Sequence, residues 1–276
     1  MRITEILKTK TLDNSTTPRL DLELLLEFIL HQPRSFLYAN PEYALTAEQE
    51  EKFETLYRRR SHGEPLAYIL GKKEFWSLRL AVNDKVLIPR PETELLVEII
   101  LGNLNNEVAN VADLGTGSGA IALALAYERP KWNIVATDIS EEALQIARYN
   151  AAQLQIPNVE FYYGDWCSIL PNKKFDAIVS NPPYIEKNDS HLQQGDVRFE
   201  PKIALESGDG FDAIKIIIAQ AKSKLDAGGL LVLEHGYDQS DKVRELLQQN
   251  GYQKITMHKD LAGMCRAVMA KIGWKK

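Results

Sequence analysis

Two consecutive prolines stand between an asparagine and a tyrosine, in the sequence Asn181-Pro182-Pro183-Tyr184. The apolar residues before them, 175–180, are typical of a buried strand, and the prolines must end that strand at Asn181. Ligands of open α/β sheets bind beyond the carboxyl ends of strands. The Asn181 carboxamide, the Pro182 carbonyl and the Tyr184 ring therefore predict a site for a planar group that carries nitrogen. A proline-rich turn that only ends a strand is the alternative.

A glycine-rich turn is the second feature with the residue types of a binding site. A strand predicted at 108–114 runs directly into this turn, and a helix is predicted over 120–127. Glycine permits positive φ angles and a close approach of the backbone to a ligand, while a helix N-terminus offers free N–H groups. The spacing is GxGxG, so the third glycine of a dinucleotide-binding fingerprint is missing from its usual place. The turn consists of Gly115, Thr116, Gly117, Ser118 and Gly119.

Two residues that follow the next predicted strands complete a candidate cofactor pocket. Asp138 ends the strand at 133–137, where its carboxylate is placed to accept both hydroxyls of a ribose, and structural capping is the alternative. Trp166 follows the strand at 159–163, where its ring either contacts an adenine or packs in the core. With the glycine-rich turn, these residues predict the binding of a cofactor that contains a nucleoside.

The elements that must position these residues indicate two domains joined by a connector. Residues 1–74 contain no convincing strand, and the capping-box spacing of Thr46 and Gln49 is one of several helix signals there. We expect a helical domain over 1–74, a β-hairpin linker over 75–90 and an α/β domain over 91–276.

Antiparallel strands are expected at both ends of the α/β domain. In the hairpin, Asn83-Asp84 is the predicted turn and Val86-Leu87-Ile88 the second strand. Near the C-terminus, a strand at 230–234 is followed by strands near 253–257 and 267–270. This order predicts an antiparallel end to a parallel sheet.

The composition argues against several classes of function. The chain has 276 residues, a formal charge of −5 and a pI near 5.7, without the basic excess of a nucleic-acid binder. Cys167 and Cys265 lack CxxC spacing, and the histidines are scattered without ligand spacing. No stretch approaches the ~20 apolar residues of a membrane span. We therefore expect a cytoplasmic monomer with no metal, no membrane contact and no stable nucleic-acid binding.

The sequence resembles a known enzyme family in two groups of segments. The class I S-adenosylmethionine-dependent methyltransferases have segments similar to DLGTGSGAIALALA (113–126), TDIS (137–140) and NPPY (181–184). The peptide chain release factor glutamine methyltransferases have segments similar to EPLAYILGKKEFW (64–76), IPRPETELLVE (88–98) and RFEPKIALESGDGFD (198–212). Ser207 departs from the glycine that is more frequent in that family. The resemblance implies a Rossmann-like, mostly parallel seven-stranded sheet preceded by a small helical domain.

The resemblance also implies a reaction and the residues that perform it. S-adenosylmethionine would be held by residues 115–119, Asp138, Trp166 and Asn181. The substrate would be the glutamine of the Gly-Gly-Gln tripeptide in class 1 peptide chain release factors, bound by Asn181, Pro182, Pro183 and Tyr184. The Asn181 side-chain oxygen and the Pro182 carbonyl suit the two N–H groups of the glutamine amide. No general base is assigned, and the helical domain is expected to dock the protein substrate.

Two other kinds of function remain open from the sequence. Enzymes that methylate an exocyclic amine of a nucleobase in DNA or rRNA also carry NPPY, with a flipped base in the same planar slot. The acidic net charge argues against this alternative. A nucleotide-binding oxidoreductase, or a binding module that has lost catalysis, is the second alternative.

Overall fold

A computed structural model describes residues 1–273 of the chain. It divides into two compact units. The first contains Met1–Lys72 together with Gln193–Phe199, and the second contains Lys73–Leu192 and the chain from Glu200 onwards. Among the described residues, no helix is both long and apolar enough to cross a membrane.

Residues 1–72 of the first unit fold into helices α1 (Ile3–Thr9), α2 (Pro18–Leu30), α3 (Arg34–Ala39), α4 (Ala47–Ser61) and α5 (Leu66–Leu70). The predicted capping box begins α4: the Thr46 N–H donates to Gln49 Oε1 at 2.9 Å, and the Gln49 N–H donates to Thr46 Oγ1 at 3.3 Å. These helices bury one apolar cluster, which includes Ile3, Leu22, Leu25, Leu26 and Phe53. Burial of these side chains stabilises the unit, since each contributes about 1.5–3 kcal/mol.

The segment 193–199 belongs to the helical unit although it follows the candidate site in sequence. Arg60 in α4 is buried, and its Nε donates to Asp21 Oδ2 at 2.6 Å. Its Nη1 donates to Asp196 Oδ1 at 3.2 Å. The Arg60 charge is thus shared between two carboxylates, one from α2 and one from a residue more than a hundred positions later.

The second unit contains a short hairpin and a seven-stranded sheet. The hairpin strands are β1 (Lys72–Phe75) and β2 (Leu78–Ala81). The sheet strands are β3 (Asn110–Leu114), β4 (Asn133–Asp138), β5 (Val159–Tyr163), β6 (Phe175–Ser180), β7 (Leu225–Glu234), β8 (Tyr252–Lys259) and β9 (Cys265–Ile272). Their order is β5-β4-β3-β6-β7-β9-β8, with parallel pairing as far as β7 and antiparallel pairing of β9 to β7 and β8. The predicted fold class is confirmed, including its antiparallel end.

Helices cover both faces of this sheet, which explains why the central strands are almost continuously apolar. The helices are α6 (Glu94–Asn103), α7 (Ala120–Glu128), α8 (Glu141–Gln153), α9 (Asp212–Lys224) and α10 (Ser240–Gln249). One apolar cluster joins α6, α7 and the end of α8 to the sheet, and a second joins α9 and α10 to the opposite face.

The strand order changes direction between β3 and β6, which makes the edge above them the switch point of the sheet. The chain runs from β3 outward through β4 to β5, then returns to β6 on the other side of β3. Leu114 pairs with Ser180, so the residues after β3 and those after β6 leave the sheet side by side. Both sequence-predicted parts of the site are therefore brought to one edge.

The hairpin is present, but its strands and turn differ from those predicted. The turn lies at Trp76 and Ser77, whose φ angles are +53° and +60°, and residues 82–88 form no strand. Two distant carboxylates hold Trp76 in this conformation. Glu94 accepts from its backbone N–H at 2.7 Å, and Glu128 accepts from its indole Nε1 at 2.8 Å. Asn83-Asp84 does form a turn, in which the Val86 N–H donates to the Asn83 carbonyl at 3.2 Å, but this turn does not connect two strands.

Candidate active site

The glycine-rich turn after β3 is fastened to the end of the neighbouring strand β4. The N–H groups of Gly115 and Thr116 both donate to the Thr137 carbonyl, at 2.8 and 2.9 Å. The Gly117 N–H donates to Asp138 Oδ2 at 2.8 Å. Gly115 and Gly117 have φ angles of +69° and +56°, which side chains rarely adopt. The turn therefore has a fixed shape, set largely by backbone hydrogen bonds.

Asp138 has both a structural role and an open face. Its Oδ1 accepts from the Ser140 N–H at 2.9 Å, while Oδ2 accepts from Gly117. Burial raises the pKa of this carboxyl, and the backbone hydrogen bonds act in the opposite direction. A carboxylate has about four acceptor positions, so two remain for hydroxyl groups of a ligand. Capping and ligand binding, which were alternatives from the sequence, are thus compatible.

Asp113 lies beneath the turn at the end of β3 and is fully buried. Its Oδ2 accepts from Thr116 Oγ1 at 2.6 Å and from the Ala122 N–H at 3.1 Å, which ties the turn to the first turn of α7. Burial raises the pKa of Asp113 to about 7. Its Oδ1 has no hydrogen-bond partner among the described residues. A buried acceptor without a partner is expensive to desolvate, which agrees with the raised pKa of this carboxyl.

The cleft at this edge has a volume of about 310 Å³. Six of the sequence-predicted residues line it: Gly115, Gly117, Asp138, Trp166, Asn181 and Pro183. The other predicted residues lie elsewhere: Thr116, Ser118, Gly119 and Pro182 are buried, and Tyr184 packs against the apolar cluster of α9 and α10. The wall also includes apolar residues that were not predicted to line it, among them Val86, Leu87, Ile139, Pro201, Ile203 and Ile216.

Trp166 sets the width of the cleft near the glycine-rich turn. A Cβ at Gly115 would lie 3.2 Å from Cζ3 of the Trp166 ring, closer than most real contacts. The residue itself has a φ of +42°, and its carbonyl accepts from Thr137 Oγ1 at 3.4 Å. We call residues 115–119, Asp138 and Trp166 the glycine-turn side of the cleft.

On the other side of the cleft, Asn181 lines the wall, and three side chains behind it join it in a hydrogen-bonded network. Asn181 Nδ2 donates to Thr93 Oγ1 at 3.1 Å, and Thr93 Oγ1 donates to Glu234 Oε2 at 2.7 Å. The Tyr184 hydroxyl donates to the remaining oxygen, Glu234 Oε1, at 3.2 Å. We call Thr93, Asn181, Tyr184 and Glu234 the four-residue network. Asn181 Oδ1 has no hydrogen-bond partner within residues 1–273, so it is available to a ligand in the cleft.

The sheet and one short 3₁₀ turn bring these four residues together. Ser180 pairs with Leu233, so Asn181 and Glu234 follow adjacent residues of the parallel strands β6 and β7. Thr93 ends the 3₁₀ turn Pro91–Thr93 that leads into α6. Sequence reasoning missed Thr93 and Glu234. The available signals were a hydroxyl residue between two glutamates and a carboxylate that ends an apolar strand.

Burial controls the protonation of this network. It raises the pKa of Glu234 to about 7, while the hydrogen bonds from Thr93 and Tyr184 and the charge of Arg266 lower it. Burial also raises the pKa of the Tyr184 phenol, which stays protonated and remains a donor. Glu234 is therefore ionised in mildly alkaline solution and protonated in mildly acidic solution.

Four features of this chain define a class I methyltransferase. They are the order of the strands in the sheet, the glycine-rich turn after β3, the acidic residue that ends β4 and the asparagine after β6. Residues 91–199 match the family model of the methyltransferase small domain, and residues 6–71 match that of the PrmC N-terminal domain. The chain belongs to the release factor glutamine methyltransferase family, as its curated relatives demonstrate.

Three of these relatives carry the name release factor glutamine methyltransferase. The protein of Coxiella burnetii is 56% identical over 94% of both chains. That of Pseudomonas aeruginosa is 50% identical over 98% of both, and that of Escherichia coli is 45% identical over 94% of both. The family resemblance stated from the sequence is confirmed.

Solved structures with lower identity share the fold alone. A methyltransferase from Pyrococcus furiosus has a TM-score of 0.56 and 20% identity, over 80% of this chain and 99% of that one. A ribosomal protein L11 methylase from Lactobacillus delbrueckii subsp. bulgaricus has a TM-score of 0.50 and 23% identity, over 68% and 81%.

Proposed function

We propose that this enzyme transfers a methyl group from S-adenosylmethionine to the side-chain amide nitrogen of the glutamine in the Gly-Gly-Gln tripeptide of class 1 peptide chain release factors. The observation that carries the proposal is the position of Asn181 at the switch point of the sheet. Asn181 lines the cleft, its Nδ2 is engaged by Thr93, and its Oδ1 has no hydrogen-bond partner within residues 1–273. An open amide oxygen suits a substrate that donates N–H groups.

The glycine-turn side fits the proposed cofactor. Asp138 keeps acceptor positions for two ribose hydroxyls, and Trp166 and Ile139 offer apolar surface for a nucleobase. The glycines at 115 and 117 let the backbone approach a ligand without a side chain in the way. When bound, S-adenosylmethionine supplies an electrophilic methyl group on a sulfonium.

The four-residue network fits the proposed substrate. The nitrogen of a glutamine amide is a poor nucleophile because its lone pair is delocalised into the carbonyl. Acceptors for both N–H groups, which we assign to Asn181 Oδ1 and the Pro182 carbonyl, would hold the nitrogen in one orientation and favour charge on it. Holding two reactants ~3–3.5 Å apart contributes roughly 7–11 kcal/mol to lowering a barrier. The Tyr184 ring and Pro183 would limit the slot to a planar group.

The helical unit, which was predicted over 1–74 and consists of Met1–Lys72 with Gln193–Phe199, is proposed to dock the protein substrate. A single glutamine presents little surface, whereas a stable protein contact buries about 800 Å² on each partner. Contacts remote from the reacting group can also be used to orient it. With a net charge of −5, the chain suits a protein loop better than a phosphate backbone. We propose further that the enzyme acts as a monomer in the cytoplasm.

A methyl-transfer assay tests the proposed function. Enzyme and methyl-labelled S-adenosylmethionine are incubated with a purified release factor, with its Gln→Ala variant at the tripeptide, and with rRNA. We expect label on the intact release factor alone. Label on rRNA, or undiminished label on the variant, would contradict the proposal and favour the nucleobase alternative.

A further inference from the structure

We propose that Thr93 and Glu234 are positioning residues, which fix the orientation of the Asn181 carboxamide so that its oxygen and not its nitrogen faces the substrate amide. This inference rests on the proposed function and extends it to two residues that do not line the cleft. Both side chains are buried, with Thr93 4% and Glu234 3% exposed.

The direction of the hydrogen bonds follows from the number of hydrogens on Thr93. A threonine hydroxyl has one hydrogen and two acceptor positions. Glu234 Oε2 lies 2.7 Å from Thr93 Oγ1, and an ionised carboxylate can only accept, so the single hydrogen points to Glu234. Thr93 can then only accept from Asn181, 3.1 Å away, and the NH₂ group is the part of a carboxamide that donates.

Without this constraint, the Asn181 carboxamide has two orientations of similar shape. Rotation by 180° exchanges oxygen and NH₂. In the rotated orientation, Asn181 would present N–H groups to the N–H groups of the glutamine, and the acceptor would be lost. Thr93 selects the productive orientation only while its own hydrogen is directed to Glu234.

Protonation of Glu234 removes the selection. A proton on Oε2 would be donated to Thr93 Oγ1, which frees the Thr93 hydrogen to be donated to the Asn181 oxygen. The groups that face Glu234 are the hydroxyls of Thr93 and Tyr184, Arg266 from β9 and Glu92 from the turn before α6. Arg266 favours the ionised form and Glu92 opposes it, while burial, the largest influence, raises the pKa to about 7. The orientation of Asn181 is thus expected to depend on pH near neutrality.

Paired substitutions at Thr93 test the role of its hydroxyl. Thr93→Val keeps the shape and removes the hydroxyl, whereas Thr93→Ser keeps the hydroxyl and removes a methyl group. We expect Thr93→Val to lower kcat for release factor methylation about tenfold, the equivalent of one hydrogen bond, with little change in the calorimetric Kd for S-adenosylmethionine. Thr93→Ser should retain most of the wild-type kcat. Equal kcat values for all three proteins would overturn the proposal.

The pH profile of kcat tests the role of Glu234 separately. The wild type should lose activity as the pH falls below about 7, and Glu234→Gln should show lower activity without this acidic limb. An acidic limb that is unchanged in Glu234→Gln would overturn the proposal, even if Thr93→Val proves too unstable to assay. Thermal melting of each variant separates loss of fold from loss of orientation. Failure of the wild type to label the release factor would refute the proposed function instead.

Discussion

The two sides of the cleft are held by different kinds of hydrogen bond. On the glycine-turn side, Asp138 accepts from the backbone N–H groups of Gly117 and Ser140, and the turn itself bonds to the backbone of β4. In the four-residue network, every bond joins two side chains, and the bonded residues are 50 to 141 positions apart. The glycine-rich turn and Asp138 are therefore positioned once β3 and β4 pair, whereas the four-residue network also requires several buried rotamers and the position of one proton to be correct.

This difference implies different responses to substitution. Backbone donors survive most side-chain changes, so ligand contacts on the glycine-turn side should be lost only when the ligating residue itself changes. In a buried side-chain network, removal of one partner leaves another polar group unsatisfied, at a cost of about 1–3 kcal/mol. We expect substitutions on the two sides to separate into effects on cofactor affinity and effects on turnover.

The largest expected effect tests the substrate acceptor. Asn181→Ala removes the open amide oxygen, so kcat for release factor methylation should fall by at least ~10²-fold. Affinity for S-adenosylmethionine, measured by calorimetry, should change much less. Near-normal turnover would mean that Asn181 is not the acceptor. A loss of affinity for S-adenosylmethionine as large as the loss of kcat would mean that substitutions on the two sides do not have separate effects.

The next effect concerns the cofactor acceptor. Asp138→Ala removes a charged acceptor, and hydrogen bonds to charged groups contribute about 1.5–3 kcal/mol each, so the Kd for S-adenosylmethionine should rise by one to two orders of magnitude. Asp138→Asn, which keeps one acceptor oxygen, is the matched control and should show a smaller rise. Unchanged binding in Asp138→Ala would show that Asp138 only supports the turn.

A smaller effect tests whether the helical unit contributes to binding of the protein substrate independently of the two sides of the cleft. Among the described residues of that unit, Tyr38 and Tyr43 are the large apolar residues with the greatest exposure, at 60% and 36%. Since aromatic residues dominate binding at protein interfaces, replacement of both by Ala should raise KM for an intact release factor about tenfold. KM for a short Gly-Gly-Gln peptide should stay the same.

Tyr149→Ala provides a matched control for that experiment, because Tyr149 is 55% exposed and lies on α8 of the other unit. It should leave KM for both substrates unchanged. If the double variant affects peptide and intact release factor equally, or not at all, these tyrosines do not dock the substrate.

The smallest effect concerns the raised pKa of the buried carboxyl group of Asp113, beneath the glycine-rich turn. Burial raises the pKa of Asp113 from 3.8 to about 7, so the folded protein binds this proton more tightly than the unfolded chain. Stability therefore falls as the pH rises from about 4 through 7. Relative to Asp113→Asn, the melting temperature of the wild type should decrease by at least ~2 °C between pH 5 and pH 8. A pH-independent difference would indicate that Asp113 has an ordinary pKa.

The same contrast explains how much of the site could be predicted from the sequence. The glycine-rich turn and Asp138 have short-range signals, because a strand, a turn and a helix follow one another at fixed spacing. The bond between Thr93 and Glu234 spans 141 positions, and Asn181 is placed beside Glu234 by the pairing of β6 with β7. No spacing rule connects such residues, although both lie in segments whose structures were predicted.

Prediction from local sequence patterns has the same limit in the β1–β2 hairpin. Alternation and turn residues predicted the hairpin, but its position is set by the bonds of Trp76 to Glu94 and Glu128, which lie 18 and 52 positions away. The assignment of residues 193–199 to the helical unit likewise depends on Arg60 and Asp196, which local patterns do not relate. In both cases the outcome depends on tertiary contacts that no local pattern encodes.

The position of segment 193–199 has a consequence for biosynthesis. Chains emerge from the ribosome from the N-terminus at about 5–20 residues per second, so residue 199 follows residue 72 by roughly 6–25 s. Until then, Arg60 has Asp21 as a partner but not Asp196. The first unit to be translated is thus completed only after β3, β4, β5 and β6 have been made. The nascent helical unit therefore lacks the bonds of Asp196 to Arg60 and of Arg198 to His62 until more than half of the chain that follows it has been made.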